Sequence, residues 1–145
     1  LNTKLKIKDI NMISDNVRNI IDNQFNYKDF NDLDISEIIV TAGTPTTLAA
    51  MDLRLSRYDH NKINGYRLHI DNIKNIFNNI CTLNAGERLK LKGLIKGREN
   101  LIIPGTLIVL DILRRFNKEH LIVSDGGLLE GIIYEERTKI VNNFI

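Results

Sequence analysis

The sequence predicts one α/β unit with more helix than strand. Two observations carry this. Apolar residues recur at three- and four-residue steps through most of the chain. Only two short runs, 38–40 and 120–123, are strand-like, and each stops at a glycine-bearing turn. A third observation is that no internal repeat, low-complexity linker or shift in composition divides residues 1–145, so a single domain is the simplest reading.

Taken in order, Ile10, Ile13, Val17, Ile20, Ile21 and Phe25 mark one face of a first helix. A polar loop leads to residues 37–41, whose apolar centre and abrupt end at Gly43 predict a buried strand. Leu48, Met51 and Leu55 then follow at helical spacing, so this stretch is a strand-turn-helix junction. Asp59 to Gly65, rich in Asn, His and Lys, reads as a surface connection. A helix through Ile73, Ile76, Phe77, Ile80 and Cys81 comes next, capped by Asp71 or a neighbour. A short helical piece follows over Ala85 to Leu91 and ends near Gly93.

Leu101 to Phe116 is apolar nearly all round, the pattern of a helix at the centre of a domain, with Pro104 in its first turn or at a kink. His120 to Ser124 forms a second short buried strand, and Asp125-Gly126-Gly127 a turn. Leu129, Ile132, Ile133, Ile140, Val141 and Phe144 predict a final helix, with Glu135 to Lys139 on its solvated face.

Composition narrows the function classes. Of 145 residues, 43% are hydrophobic and 26% charged, the balance of a soluble domain able to hold one core. The 20 basic and 18 acidic side chains are spread along the chain for a net charge of +2, too even to argue for nucleic acid. No apolar run is long enough to span a bilayer, and no signal peptide is visible, so no membrane partner is expected. The single cysteine, Cys81, cannot form an internal disulfide, which fits a cytoplasmic protein.

The turn Thr41-Ala-Gly-Thr-Pro-Thr-Thr47 is the first candidate for chemistry. A helix start leaves backbone N–H groups unpaired at the positive end of the helix dipole, which suits an anion. Gly43 would let a ligand approach the backbone, and the hydroxyls of Thr44, Thr46 and Thr47 would add donors, with phosphate as the natural guest. The same residues also support a plain reading, in which Thr44 is an N-cap and Pro45 the first helical residue.

Three further stretches follow in order. They are Glu87-Arg88 ahead of Lys92-Gly-Leu-Ile-Lys-Gly-Arg98, then Pro104-Gly-Thr-Leu107, then Val123-Ser-Asp-Gly-Gly-Leu-Leu-Glu-Gly131. Together with the turn they resemble the exopolyphosphatase/guanosine pentaphosphate phosphatase family over about residues 37–134, with a looser match before them. The resemblance implies a ribonuclease H-like domain of the actin-like ATPase superfamily, two of which face each other across a cleft. In that family the cleft binds polyphosphate or guanosine pentaphosphate, and a water helped by a carboxylate and Mg²⁺ cleaves the terminal anhydride.

The resemblance places this chain as the greater part of the second domain. The first domain, with the carboxylate expected to act as base, and the phosphate loop that opens the second would precede Leu1. No catalytic residue and no metal ligand is therefore assigned here, and the fragment alone is expected to be inactive. Gly43 and Thr44 fall on the family's Gly-Thr turn, with Thr46 and Thr47 as second choices. Arg98 falls on its arginine, where a planar guanidinium could take two phosphate oxygens; the other reading is a surface or interdomain salt bridge.

Departures limit the transfer. Ala42 stands where a second glycine is frequent, Pro45 where a small residue with an N–H is usual, and Gly126 and Leu129 where arginines are frequent. Asp125 could stand beside a metal, but Ser-Asp-Gly-Gly after a strand reads first as a turn capping the next helix; Glu130 could serve as a base, but reads first as a capping or dipole partner. His60, His69 and His120 have no partner at metal-ligand spacing. Two rivals stand beside the hydrolase domain. One is a noncatalytic module sensing a phosphorylated nucleotide. The other is a fragment that pairs, as a homodimer, through the apolar surface its partner domain would cover.

Overall fold

The computed structural model describes residues 4–24, 30 and 34–142. The order of elements is α1 (Ile7–Gln24), β1 (Ile39–Val40), α2 (Gly43–Asp52), α3 (His60–Ile63), β2 (Tyr66–His69), α4 (Ile70–Thr82), α5 (Ala85–Arg88), α6 (Ile102–Arg115), β3 (His120–Val123) and α7 (Leu128–Asn142). Phe25 and Phe144, assigned to the first and last helices, lie outside the described residues, as do the side chains of Ile140 and Val141.

The three strands form one small mixed sheet in the order β1-β3-β2. β3 is its centre, parallel to β1 with Val40 opposite Val123, and antiparallel to β2 with Leu68 opposite Leu121. Alternate residues of β3 point inward, burying Leu121 and Val123. β1 corrects an expectation. It lies at the sheet edge and leaves Ile39 67% exposed, so this strand is only half covered.

β2 is an element that apolar patterning did not reveal. Tyr-Arg-Leu-His has no β-branched residue and buries only Leu68, so its pairing with β3 makes it a strand. The 59–65 connection also differs from expectation. Asp59 caps α3 by accepting from the N–H of Asn61 at 3.1 Å, and Ile63 is fully buried.

The core is built around α2, whose residues from Pro45 to Met51 are all buried. The short side chains of Thr47, Ala49 and Ala50 let α4 and α6 pack closely on it. α4 presents Ile73 and Ile80, and α6 presents Ile102, Ile103, Val109 and Leu113. Each such side chain contributes roughly 1.5–3 kcal/mol on burial. α6 is thus buried on one face only, with Ile108 exposed on the other, and α2 takes the central position expected of α6.

α1 has no fully buried residue; it lies on α6, where Arg115 pairs with Asp22 at 2.6 Å and with Asp111. α4 is capped by His69, whose Nδ1 accepts from the N–H of Asp71 at 3.3 Å, so the neighbour rather than Asp71 is the cap. α7 exposes Leu128, Leu129, Ile132, Ile133 and Tyr134, an apolar face that no described element covers. No described helix is long and apolar enough to cross a membrane.

Candidate functional site

The parallel strands β1 and β3 both end at the same edge of the sheet, and each runs into a turn there. The N–H of Ser124 donates to Val40 O at 2.8 Å, and Thr41 Oγ1 donates to Gly126 O at 2.8 Å. The Thr41–Gly43 and Ser124–Gly127 turns are thereby tied together at the carboxyl ends of adjacent parallel strands, where α/β folds place their ligands.

The first turn departs from the plain capping reading. α2 begins at Gly43, before Thr44, and Pro45 is its third residue. Its N-cap is Ala42, which makes no side-chain cap and takes φ 95° and ψ 176°, a region that strongly favours glycine. The first N–H groups of α2 therefore keep their appetite for an acceptor. Thr46 and Thr47 direct their hydroxyls inward. Thr47 Oγ1 donates to Gly43 O at 2.6 Å, and Thr46 Oγ1 lies 3.2 Å from both Ala42 O and Gly43 O.

Arg98 arrives from the segment between α5 and α6. A Cβ built on Gly43 would fall inside the Arg98 guanidinium, so the absence of a side chain on Gly43 admits the arginine rather than leaving open backbone. Among the described residues no carboxylate pairs with Arg98.

The segment that carries Arg98 is held firmly. Buried Arg88 donates from Nε to Ile80 O at 2.8 Å and from Nη1 to Glu99 O at 2.9 Å, and its burial lowers the guanidinium pKa. Gly93, at φ 86°, lies against the backbone of Ala50 and Met51, where any side chain would collide. Gly105 of α6 likewise leaves room for the Thr44 side chain, which fixes α2 against α6 beside the turn.

The second turn brings in residues that sequence reasoning passed over. Tyr58 donates its hydroxyl to Asp125 Oδ1, His60 Nδ1 lies 2.7 Å from Asp125 Oδ2, and the Asp125 N–H donates to Asn64 Oδ1 at 3.0 Å. Asp125 is therefore not a cap for α7. Glu130 takes that role, accepting from the Gly127 N–H at 2.8 Å, and its own backbone N–H, then that of Gly127, lowers its carboxyl pKa. Burial, then the bond to Asp125, raises the Tyr58 phenol, while Thr46 and the charge on Arg98 pull it down. Tyr58 thus links the Asp125 turn to the Thr46–Arg98 side of the site.

No group of three or more His, Cys, Asp or Glu side chains converges among the described residues. Asp125 Oδ1 accepts from Tyr58 and Oδ2 lies against His60, so the described residues form no cage for the Mg²⁺ that the resemblance implies.

The model of the Ppx/GppA phosphatase family matches residues 8–140. The chain belongs to this family. A bifunctional 3-dehydroquinate synthase/phosphatase of Fusobacterium nucleatum is 35% identical over 111 residues, 74% of this Ppx/GppA chain and 16% of that relative. The crystal structure of an Aquifex aeolicus Ppx/GppA member superposes with a TM-score of 0.79 at 27% identity, covering 92% of this chain and 42% of its own. An exopolyphosphatase of Cytophaga hutchinsonii shares the fold at a TM-score of 0.74 and 21% identity, again over 42% of its length. The helix-rich α/β architecture is thus that of the Ppx/GppA structures, an actin-like ATPase fold, and the chain spans less than half of each of these relatives.

Proposed function

We propose that this chain is the second of two actin-like domains and that it holds the phosphate chain during hydrolysis of a phosphoanhydride. The approach of Arg98 to Gly43 carries the reading, because it sets a guanidinium beside an uncapped helix start. An anion there would receive the N–H groups of Gly43 and Thr44 and the fork of Arg98. Thr46 and Thr47 shape the turn through their bonds to its carbonyls.

The substrate would be polyphosphate or guanosine pentaphosphate, in keeping with the family and with the exopolyphosphatase of the same fold. Water attacks the terminal phosphorus, the P–O–P bridge breaks, and orthophosphate leaves with the chain one unit shorter. The donors of this domain stabilise the negative charge on the phosphate oxygens as the bridge breaks. The general base and the Mg²⁺ ligands are assigned to the partner domain, and the apolar face of α7 is a surface for it.

The test is phosphate release from both substrates with Mg²⁺, by this chain alone and together with a partner domain like that of its relatives. Release only from the pair, lost in Arg98→Ala, supports the proposal. Saturable binding without release from the pair favours a sensing module instead. Release unaffected by Arg98→Ala overturns the assignment of the site.

A further inference from the structure

The imidazole of His60 stands at the sheet edge where β1 and β3 end, and more than half of it is open to solvent. Asp59 caps α3 and pairs with Lys62 at 3.7 Å, so that carboxylate is occupied and His60, the first residue of the helix, meets Asp125 instead. α3 is pinned to the end of β3 around this contact. Ile63 is fully buried, the N–H of Gly65 donates to Val123 O at 2.8 Å, and Asn64 Oδ1 accepts from the Asp125 N–H at 3.0 Å.

The contact fixes which ring nitrogen carries hydrogen. An ionised carboxylate only accepts, so Nδ1, 2.7 Å from Asp125 Oδ2, is the donor. Nε2 is left with no partner among the described residues. Two bonds join this pair to the candidate phosphate site. Thr41 Oγ1 holds Gly126 O at 2.8 Å, and the Tyr58 hydroxyl on Asp125 is near enough to Thr46 and Arg98 for both to pull its pKa down.

Displacement at phosphorus sets the entering and leaving oxygens roughly in line. With the base in the partner domain, the leaving oxygen falls on the side of this domain, and charge builds on it as the bridge breaks. The groups at this edge differ in what they can give. Arg98 keeps its protons at any working pH. The Glu130 carboxyl, lowered by backbone donors, holds none near neutrality, and Tyr58 spends its hydroxyl on Asp125 while burial raises the phenol. An imidazole gains and loses a proton between about pH 5 and 8. The charged groups that face it are Asp125 after β3, Glu130 on α7, and Asp59 and Lys62 on its own segment, with Arg98 beyond Tyr58.

We propose that His60 is the proton donor to the leaving phosphate oxygen, with Asp125 as the residue that positions it. The proposal rests on the phosphate reading of the Gly43–Arg98 turn and deepens it by naming a residue for a step that reading leaves unassigned. The water oxygen bonds to the terminal phosphorus as the bridging P–O bond breaks. That bond's electron pair stays on the bridging oxygen, which takes the proton from Nε2. The proton of the water goes to the base of the partner domain, and His60 regains its own from solvent before the next turnover.

The experiment follows tripolyphosphate hydrolysis from about pH 5 to 9 by the chain paired with its partner domain, with Mg²⁺. The wild-type rate is expected to fall on the alkaline side as the imidazole loses its proton. His60→Gln should lower kcat about a hundredfold, leave KM within about threefold and abolish that fall. A kcat within about threefold of wild type, a loss confined to KM, or an alkaline fall that persists overturns the proton donor. The nitrogen-15 spectrum of the imidazole, taken on the chain itself, is the second measurement. Neutral His60 is expected as the Nδ1–H tautomer, a preference lost in Asp125→Ala; an Nε2–H tautomer, or a preference that Asp125→Ala leaves intact, overturns the positioning. Tripolyphosphate affinity in Arg98→Ala is measured separately. Affinity lost there beside an unchanged kcat in His60→Gln leaves the phosphate site standing and removes only the donor, whereas a pair that releases no phosphate overturns both.

Discussion

Arg98 lies over Gly43 so closely that a methyl group on the glycine would occupy the space of the guanidinium. The two residues are 55 positions apart, and their meeting depends on Arg88 and Gly93 holding the segment between α5 and α6 against the core.

Gly43→Ala should therefore act as an indirect arginine knockout. Tripolyphosphate affinity is expected to fall about tenfold or more, as for Arg98→Ala, since each charge-assisted hydrogen bond contributes roughly 1.5–3 kcal/mol. The double variant should be little worse than either single one, because both remove the same group. Isothermal titration of the three variants checks this; additive losses would mean that the two residues act independently.

Ala42→Gly should stabilise the chain. Alanine at φ 95° and ψ 176° carries strain that glycine lacks, and its relief contributes on the order of 1 kcal/mol. A higher melting temperature with unchanged anion affinity is the expected result. A lower one would show that this turn is not held in the strained form.

Gly93→Ala should be among the most damaging small substitutions. The new methyl meets the Ala50–Met51 backbone at φ 86°, and a loss of about 2–4 kcal/mol is expected from combined strain and overpacking. Urea unfolding measures it. Stability within about 0.5 kcal/mol of wild type, the range of an ordinary surface change, would contradict the packing described.

Tyr66 links stability to alkaline pH. Burial, followed by its hydrogen bond to Asp52, pushes the phenol from 10.0 up to about 12. A folded-state pKa above the unfolded one means that the folded chain retains the proton longer. The stabilisation is therefore full below pH 10 and is lost as pH rises toward 12. Urea midpoints of wild type and Tyr66→Phe should approach each other across that window, and parallel curves would contradict the linkage.

Sequence patterning revealed the elements that rest on local periodicity and left out those that rest on partners. α1, α4 and α6 announce themselves through apolar spacing, and β3 through Leu-Ile-Val followed by a turn. β2 has only Leu68 to show, because its neighbour β3 supplies the rest of its stabilisation. At the site, Gly43 and Arg98 were legible one by one from motif resemblance, whereas their contact was not. The reading of residues 59–65 as a surface connection covers His60 and Asn64, and nothing local marks Tyr58, because Asp125, which gathers all three, lies more than 60 residues away. The strained Ala42 left no trace in composition, since alanine is an ordinary helix former.

The most direct test of the phosphate site is an NMR titration of the chain with tripolyphosphate, following the backbone amides of Gly43 and Thr44 and the Nε–H of Arg98. The site predicts saturable shifts at all three with a common dissociation constant, abolished in Arg98→Ala. Shifts that never saturate, or that saturate elsewhere while these three stay still, would contradict it.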